Sequence, residues 1–180
     1  MPKLRHSLLA AAVSAALPLF AQAQPAPDLD SLTAAQAAAD ICAGKYTSEA
    51  LVGAALARAR ARADLNAFIT LDEAGALKAA RAADAARKRG ACKPLDGVPV
   101  VIKDNIEVAG LPASAGTPAL KGFVPKADAP VAAKLRAAGA IVLGKTNMHE
   151  LAFGISGYNT AFKSADKAGV RNAYAAAKIA

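Results

Sequence analysis

The sequence predicts an α/β fold in which a helical jacket, built by the front half, covers a strand, helix, strand unit of a mostly parallel sheet. Three observations carry that expectation. Gly97 to Ile102 (Gly-Val-Pro-Val-Val-Ile) is a nearly continuous apolar run with β-branching that stops at Lys103-Asp104-Asn105. Ala140 to Leu143 is a second such run, and between the two Val131, Leu135 and Ala138 recur at helical spacing. Parallel strands need a crossover of this kind, so these pieces form one βαβ unit.

At the amino end, Lys3, Arg5 and His6 precede an apolar run from Leu8 to Phe20, and Ala21-Gln22-Ala23 puts small residues where a signal peptidase reads them. Residues 1–23 therefore read as a secretory signal, the run being shorter than the roughly 20 residues a bilayer requires. Residues 24–31 are a Pro-rich leader. Leu32 to Ala43 predicts a short helix stopped by Gly44, and Thr47-Ser48-Glu49 opens a longer one to about Ala63, with a cap and early negative charge. Ala67 to Leu71 is rich in strand formers, and Asp72-Glu73 begins an Ala/Arg helix that Gly90 ends. From Glu107 to Asp128 runs a stretch punctuated by Gly and Pro, too long and irregular for a simple connector and thus expected to be a functional loop. Asp128 is placed to cap the crossover helix, with Pro130 in its first turn and Gly139 at its end. Asn147, with Glu150 three residues on, predicts the start of one more helix.

Composition narrows the function classes. With 54% hydrophobic and 20% charged residues over 180 positions, the chain is an ordinary globular one, which excludes collagen, coiled coil and wholesale disorder. No Trp and only 4% aromatics leave the core thin in large side chains, as expected of part of a larger domain. The charge of +8 is spread over alanine-rich helical patterns (Arg58, Arg60, Arg62 and Arg87-Lys88-Arg89) without interleaved aromatics, which is a solvated helix face rather than a nucleic-acid site. Export would carry Cys42 and Cys92 into a compartment that permits disulfides; a bridge and a pair of small buried thiols are both open.

Three local patterns imitate chemistry. Gly139 to Thr146 satisfies the phosphate-loop spacing, but its intervening Ile141, Val142 and Leu143 are themselves the strand, and a helix precedes it. Lys145 is then expected to face solvent or tie down the following turn, with Thr146 and Asn147 capping a helix. His149-Glu150 begins a zinc-protease pattern, but Phe153 stands where the second histidine is needed, so His149 defaults to a helix surface. With only His6 and His149 in the chain, neither a histidine metal site nor a Ser-His-Asp triad can be assembled. Gly154-Ile155-Ser156-Gly157-Tyr158 lacks both the last glycine of a nucleophile elbow and a leading strand, so Ser156 is a loop serine.

Lys103 is the residue left over. An ammonium is costly to bury, so a lysine closing a Val-Val-Ile run either reaches solvent, pairs with an acid such as Asp104, or is held with a lowered pKa for chemistry. Ligands of open α/β sheets sit beyond the carboxyl ends of strands, which is where Lys103 falls.

The residues Leu95 to Asn105, Gly110-Leu111-Pro112 with Ala115-Gly116, and Ala138 to Glu150 together resemble the front half of an amidase signature enzyme; Arg171-Asn172-Ala173-Tyr174 is similar to that family's Arg-Asn-Pro-Tyr, with alanine for proline. The resemblance covers about Leu32 to Tyr174 and implies a partial amidase signature fold. It implies amide hydrolysis by a Ser, cis-Ser, Lys triad in which Lys103, neutral, is the base acting through the bridging serine. It further implies that Phe153, Gly154, Ile155 and Ser156 border the acyl pocket, that no cofactor or metal is used, and that the partner is a small-molecule amide. The family's Gly/Ser-rich signature, with both serines and the oxyanion amides, follows shortly after the block matched by Arg171 to Tyr174, where this sequence reaches Ala180. Residues 32–180 are thus expected to be the N-terminal part of an exported (periplasmic or secreted) amidase, incomplete for catalysis alone and meeting a membrane only during export; oligomeric state is left open. The alternative is a non-catalytic exported binding or scaffold protein on the same fold.

Overall fold

The computed structural model describes residues 27–87, 90, 92–163 and 168–179. The signal expected over residues 1–23 lies outside the described residues.

Two helices open the fold, α1 (Ala34–Cys42) and α2 (Ser48–Ala61). Each starts on a threonine, Thr33 or Thr47, whose hydroxyl accepts the amide three residues on (Gln36 at 3.1 Å, Ala50 at 3.0 Å). Strand β1 (Phe68–Leu71) and helix α3 (Glu73–Arg87) follow. Near the end of α3, Asp84 turns back to accept the Ser48 and Glu49 amides (2.8 and 3.1 Å), so the two long helices of the jacket are fastened where α2 begins. Arg58, Arg60 and Arg62 each meet a carboxylate, on Asp30, Glu73 and Asp64. Strand β2 (Pro99–Lys103), helix α4 (Pro130–Ala137) and strand β3 (Ile141–Thr146) are the expected βαβ unit, with β2 and β3 parallel.

The sheet order is β1-β3-β2, and β1 joins β3 antiparallel, so the sheet is partly parallel. Close approach of β1 is what Gly144 permits: a Cβ there would stand 2.1 Å from the Thr70 carbonyl oxygen. One sheet face packs Ile141 and Leu143 against Val52 and Leu56 of α2 and Ala76 and Ala80 of α3. The other packs Ile102 and Val142 against Ala132 of α4 and Val108 of the long loop. A third cluster, Ala37, Ile41, Leu51 and Val98, seats α1. Helix, sheet and helix therefore stack in three layers, the alanines of α3 and α4 letting backbones close on the strands.

Cys42 and Cys92 form a disulfide with their Cα atoms 6.0 Å apart, closing a 50-residue separation across the jacket. Chain-entropy arguments make such a loop worth about 4 kcal/mol. A short hairpin, β4 (Arg171–Asn172) and β5 (Ala175–Ile179), ends the described chain; Asn172 Oδ1 accepts the amides of Tyr174 (2.9 Å) and Ala175 (3.2 Å) to shape its turn.

Two expected caps are corrected. Asp128 does not cap α4, whose N-cap is Ala129 without a side-chain bond; its carboxylate instead accepts the Ala109 amide (2.7 Å) and pairs with Arg136 (3.2 Å), tying the long loop to the helix. Asn147 opens no helix. The chain there makes only a 3₁₀ turn, Glu150–Ala152, with Leu151 and Ala152 both left-handed (φ 52° and 57°).

Candidate functional site

Strand register decides the site. Lys103 stands opposite Thr146 and Ile102 opposite Lys145, and partners across a ladder point to the same face, so the two lysines leave the sheet on opposite sides. Lys103 is exposed and, among the described residues, has no ion-pair partner. It lines a groove of ≈ 400 Å³ with Thr146, His149, Gly154, Ile155 and Ser156. The structure thus brings three of the expected pocket residues, Gly154, Ile155 and Ser156, to Lys103. Phe153 is not among the groove residues and is 94% exposed.

Two asparagine amides hold the backbone around this groove, which Asn147 and Met148 line. Asn147 Nδ2 donates to the carbonyls of Asn66 (3.1 Å) and Phe162 (2.9 Å), while its Oδ1 accepts the Met148 amide (2.8 Å). Asn159 Nδ2 donates to Gly116 and Met148 carbonyls (both 2.8 Å), and its Oδ1 accepts the Ala161 and Phe162 amides (2.9 and 3.1 Å). These buried bonds satisfy irregular backbone that no helix or sheet serves. They also explain why Asn147 is unavailable as a helix cap: its side chain is spent on tertiary contacts. Two consecutive non-glycine residues at positive φ cost about 1–3 kcal/mol each, so the turn at Leu151 and Ala152 persists because its surroundings impose it. One of those ties is the Leu151 amide, which donates to the Ala115 carbonyl at 2.8 Å.

Lys145 departs from expectation. It neither faces solvent nor ties down the turn that follows β3: it is fully buried and serves the loop that follows β2. Its Nζ donates to the carbonyls of Pro112 (3.0 Å) and Asp104 (3.3 Å) and stands 3.5 Å from Asp104 Oδ1. The second Asp104 oxygen accepts from the Ser114 amide (2.9 Å), the Ser114 hydroxyl and the Gly116 amide (3.3 Å). Burial pulls the Lys145 amine below its ordinary value of 10.5, and the Asp104 carboxylate pulls the other way. The long loop expected to be functional is therefore folded around a buried ion pair directly behind Lys103. A visible sequence signal was Asp104 itself, an acid at the end of an apolar strand that needs a partner when buried.

Among the described residues no group of three or more His, Cys, Asp or Glu side chains could hold a metal ion. What the groove can offer is a primary amine, a hydroxyl and an imidazole facing one small, partly apolar space.

A family model described as Amidase matches residues 50–180. Over 157 residues the chain is 50% identical to the mandelamide hydrolase of Pseudomonas putida, covering 87% of this chain and 30% of that protein. It is 43% identical over 137 residues to a glutamyl-tRNA(Gln) amidotransferase chain of Streptomyces coelicolor, covering 75% of this chain and 28% of that one. Among solved structures, the native peptide amidase of Stenotrophomonas maltophilia superposes with a TM-score of 0.71 at 37% identity, over 82% of this chain and 31% of that one. The chain spans 28–30% of the length of these curated relatives.

Proposed function

The chain belongs to the amidase family, and from that premise we propose that Lys103 is the general base of an exported amide hydrolase whose acyl group lies in the groove lined by Gly154, Ile155 and Ser156. The observation that carries the reading is the division of labour at the strand ends. A lysine serves as a base only when neutral, and a carboxylate partner would hold it protonated. Asp104, the acid next to it in sequence, is committed on the opposite face to Lys145, Ser114 and Gly116, so the amine at the groove is left without a counter-ion among the described residues.

In the chemistry implied by family resemblance, a serine hydroxyl attacks the amide carbonyl as its proton passes through the bridging serine to Lys103 Nζ, and the resulting ammonium protonates the departing amine. Water then releases the acyl group. The 180 residues supply the base and one wall of the acyl site, and hydrolysis by them alone is not expected. The 50% identity to a mandelamide hydrolase favours a small amide of that type as substrate.

Export is the second part of the proposal. The Cys42–Cys92 disulfide is the chemistry of an oxidising compartment, and it joins the leader pattern of residues 1–23 in favouring an exported hydrolase over a cytosolic partner of tRNA charging. A mature protein beginning at Gln24, found by mass in the periplasmic or secreted fraction, is the expected outcome.

The deciding experiment is hydrolysis of mandelamide by the full-length protein and its Lys103→Ala variant. Loss of about 10²–10⁴-fold in turnover is expected for the variant. Undiminished hydrolysis would overturn the role of Lys103, and a full-length protein without amide turnover would return the chain to the binding or scaffold reading.

A further inference from the structure

We infer that His149 is the specificity residue of this groove, its Nε2 accepting a hydrogen bond from a hydroxyl on the acyl part of the amide, so that the substrate class is 2-hydroxy amides; this rests on the amidase reading of the Lys103 groove. In a helix, residues 149 and 153 would share a face and the imidazole would lie on the outside. The left-handed pair Leu151 and Ala152 breaks that arrangement and folds residue 154 back under residue 149. The contact is close enough to dictate the sequence: a Cβ at Gly154 would stand 2.2, 2.4 and 2.7 Å from Cδ2, Nε2 and Cγ of His149. Only a bare Cα admits the ring where it is.

The ring is oriented as well as seated. Its Nδ1 lies 3.2 Å from the Glu150 carbonyl oxygen, which can only accept, so Nδ1 carries the proton and Nε2 of the neutral ring is a bare acceptor. Nε2 has no hydrogen-bond partner among the described residues. Ser156, in the same groove, accepts the Tyr158 amide on Oγ (3.3 Å), which leaves its hydroxyl proton to donate. The groove therefore holds one unused acceptor and one unused donor beside the lysine, amid the apolar surfaces of Ala152, Ile155 and Val170.

A hydroxyl does both through one oxygen, donating to His149 and accepting from Ser156. An ammonium could donate to His149 but has no lone pair with which to accept from Ser156. The 50% identity to a mandelamide hydrolase points to the carbon beside the carbonyl as the one that carries this hydroxyl, and a groove of ≈ 400 Å³ has room for it beside the reacting amide.

Mandelamide and phenylacetamide differ by this hydroxyl alone. With the full-length protein, His149→Leu is expected to lower kcat/KM for mandelamide about tenfold, mainly through KM, and for phenylacetamide less than about twofold. His149→Gln, which keeps an acceptor, recovers most of the loss. Should His149→Leu fail to fold, His149→Phe keeps a flat ring against Gly154 and carries the same comparison. Equal losses on both amides, no loss on either, or no recovery with glutamine would overturn the role of His149 while leaving the amidase reading intact. A wild-type protein that hydrolyses neither amide but turns over other small amides, with loss in Lys103→Ala, would overturn this inference alone, and one that hydrolyses no amide would overturn the reading beneath it as well.

Discussion

Lys103 ends β2 and Lys145 is the penultimate residue of its parallel neighbour β3, one register position away, yet one stands in an open groove and the other is completely enclosed. The backbone explains the difference. Strict alternation from Val142, which packs with Ile102, would put Gly144 on that same face and Lys145 on the opposite one. A bulge intervenes: Val100 pairs with Val142 but Val101 pairs with Gly144, so one extra residue sits on β3 and every later side chain changes face. Lys145 is thereby turned toward the loop that supplies Asp104, Ser114 and the Pro112 carbonyl. Its burial removes the acid that would otherwise be available to Lys103. The contrast teaches that a lysine's role at a sheet end is set by the parity of the strand and by which face the following loop covers.

The largest expected effects test that contrast by exchange. Lys103→Ala should abolish nearly all turnover of the full-length protein, about 10²–10⁴-fold, while leaving urea stability within about 0.5 kcal/mol, because an exposed side chain is removed. Lys145→Met should do the reverse in kind, lowering stability by about 3–5 kcal/mol, since it strands a buried carboxylate with hydrogen-bond donors but no counter-ion. If Lys103→Ala proved the more destabilising of the two, the assignment of faces would be wrong.

A smaller effect sharpens the groove side. Gly154→Ala places a methyl where the His149 ring lies, and overpacking of this kind costs about 1–3 kcal/mol when nothing can give. Here the ring can swing outward, so the expected outcome is a lost preference for mandelamide over phenylacetamide with stability reduced by less than about 1 kcal/mol. A crystal structure of the variant with His149 unmoved would contradict it.

The parts legible in the sequence are those where one local rule governs. The apolar runs gave β2 and β3, the spacing of Val131 and Leu135 gave α4, and the phosphate-loop reading failed as expected because Gly139 to Thr146 leads from helix into strand. The parts that were not legible are those where a side chain had two uses. Asn147 and Asp128 have the chemistry of helix caps, but partners distant in sequence, Asn66 and Phe162 for one and Ala109 and Arg136 for the other, outcompete the cap. Lys145 was misplaced because a one-residue bulge is invisible to a hydrophobic pattern whose alternation is already hidden by burial on both faces. The groove itself gathers Lys103, His149, Ala152 and residues 154–157 through a non-helical turn that a capping-box spacing argues against.

The smallest effect concerns the pH dependence of stability. In the unfolded chain Lys145 keeps its proton to near 10.5, whereas burial lowers that value in the folded protein. Between the two, the unfolded state binds more protons, so stability rises with pH; below the folded value both states are protonated and the slope vanishes. One group can contribute at most about 1.4 kcal/mol per pH unit. Tyr46, whose phenol burial raises above 10.0, acts in the opposite sense but only from that value upward, because there the folded state holds the proton that the unfolded state has lost. Below pH 10 the Tyr46 contribution is absent and groups other than Lys145 are common to both proteins, so the full-length Lys145→Met variant should show a flatter urea-stability profile than wild type there. Identical slopes would mean that the amine behind Lys103 is held as firmly protonated when folded as when unfolded, and that Asp104 fully offsets its burial.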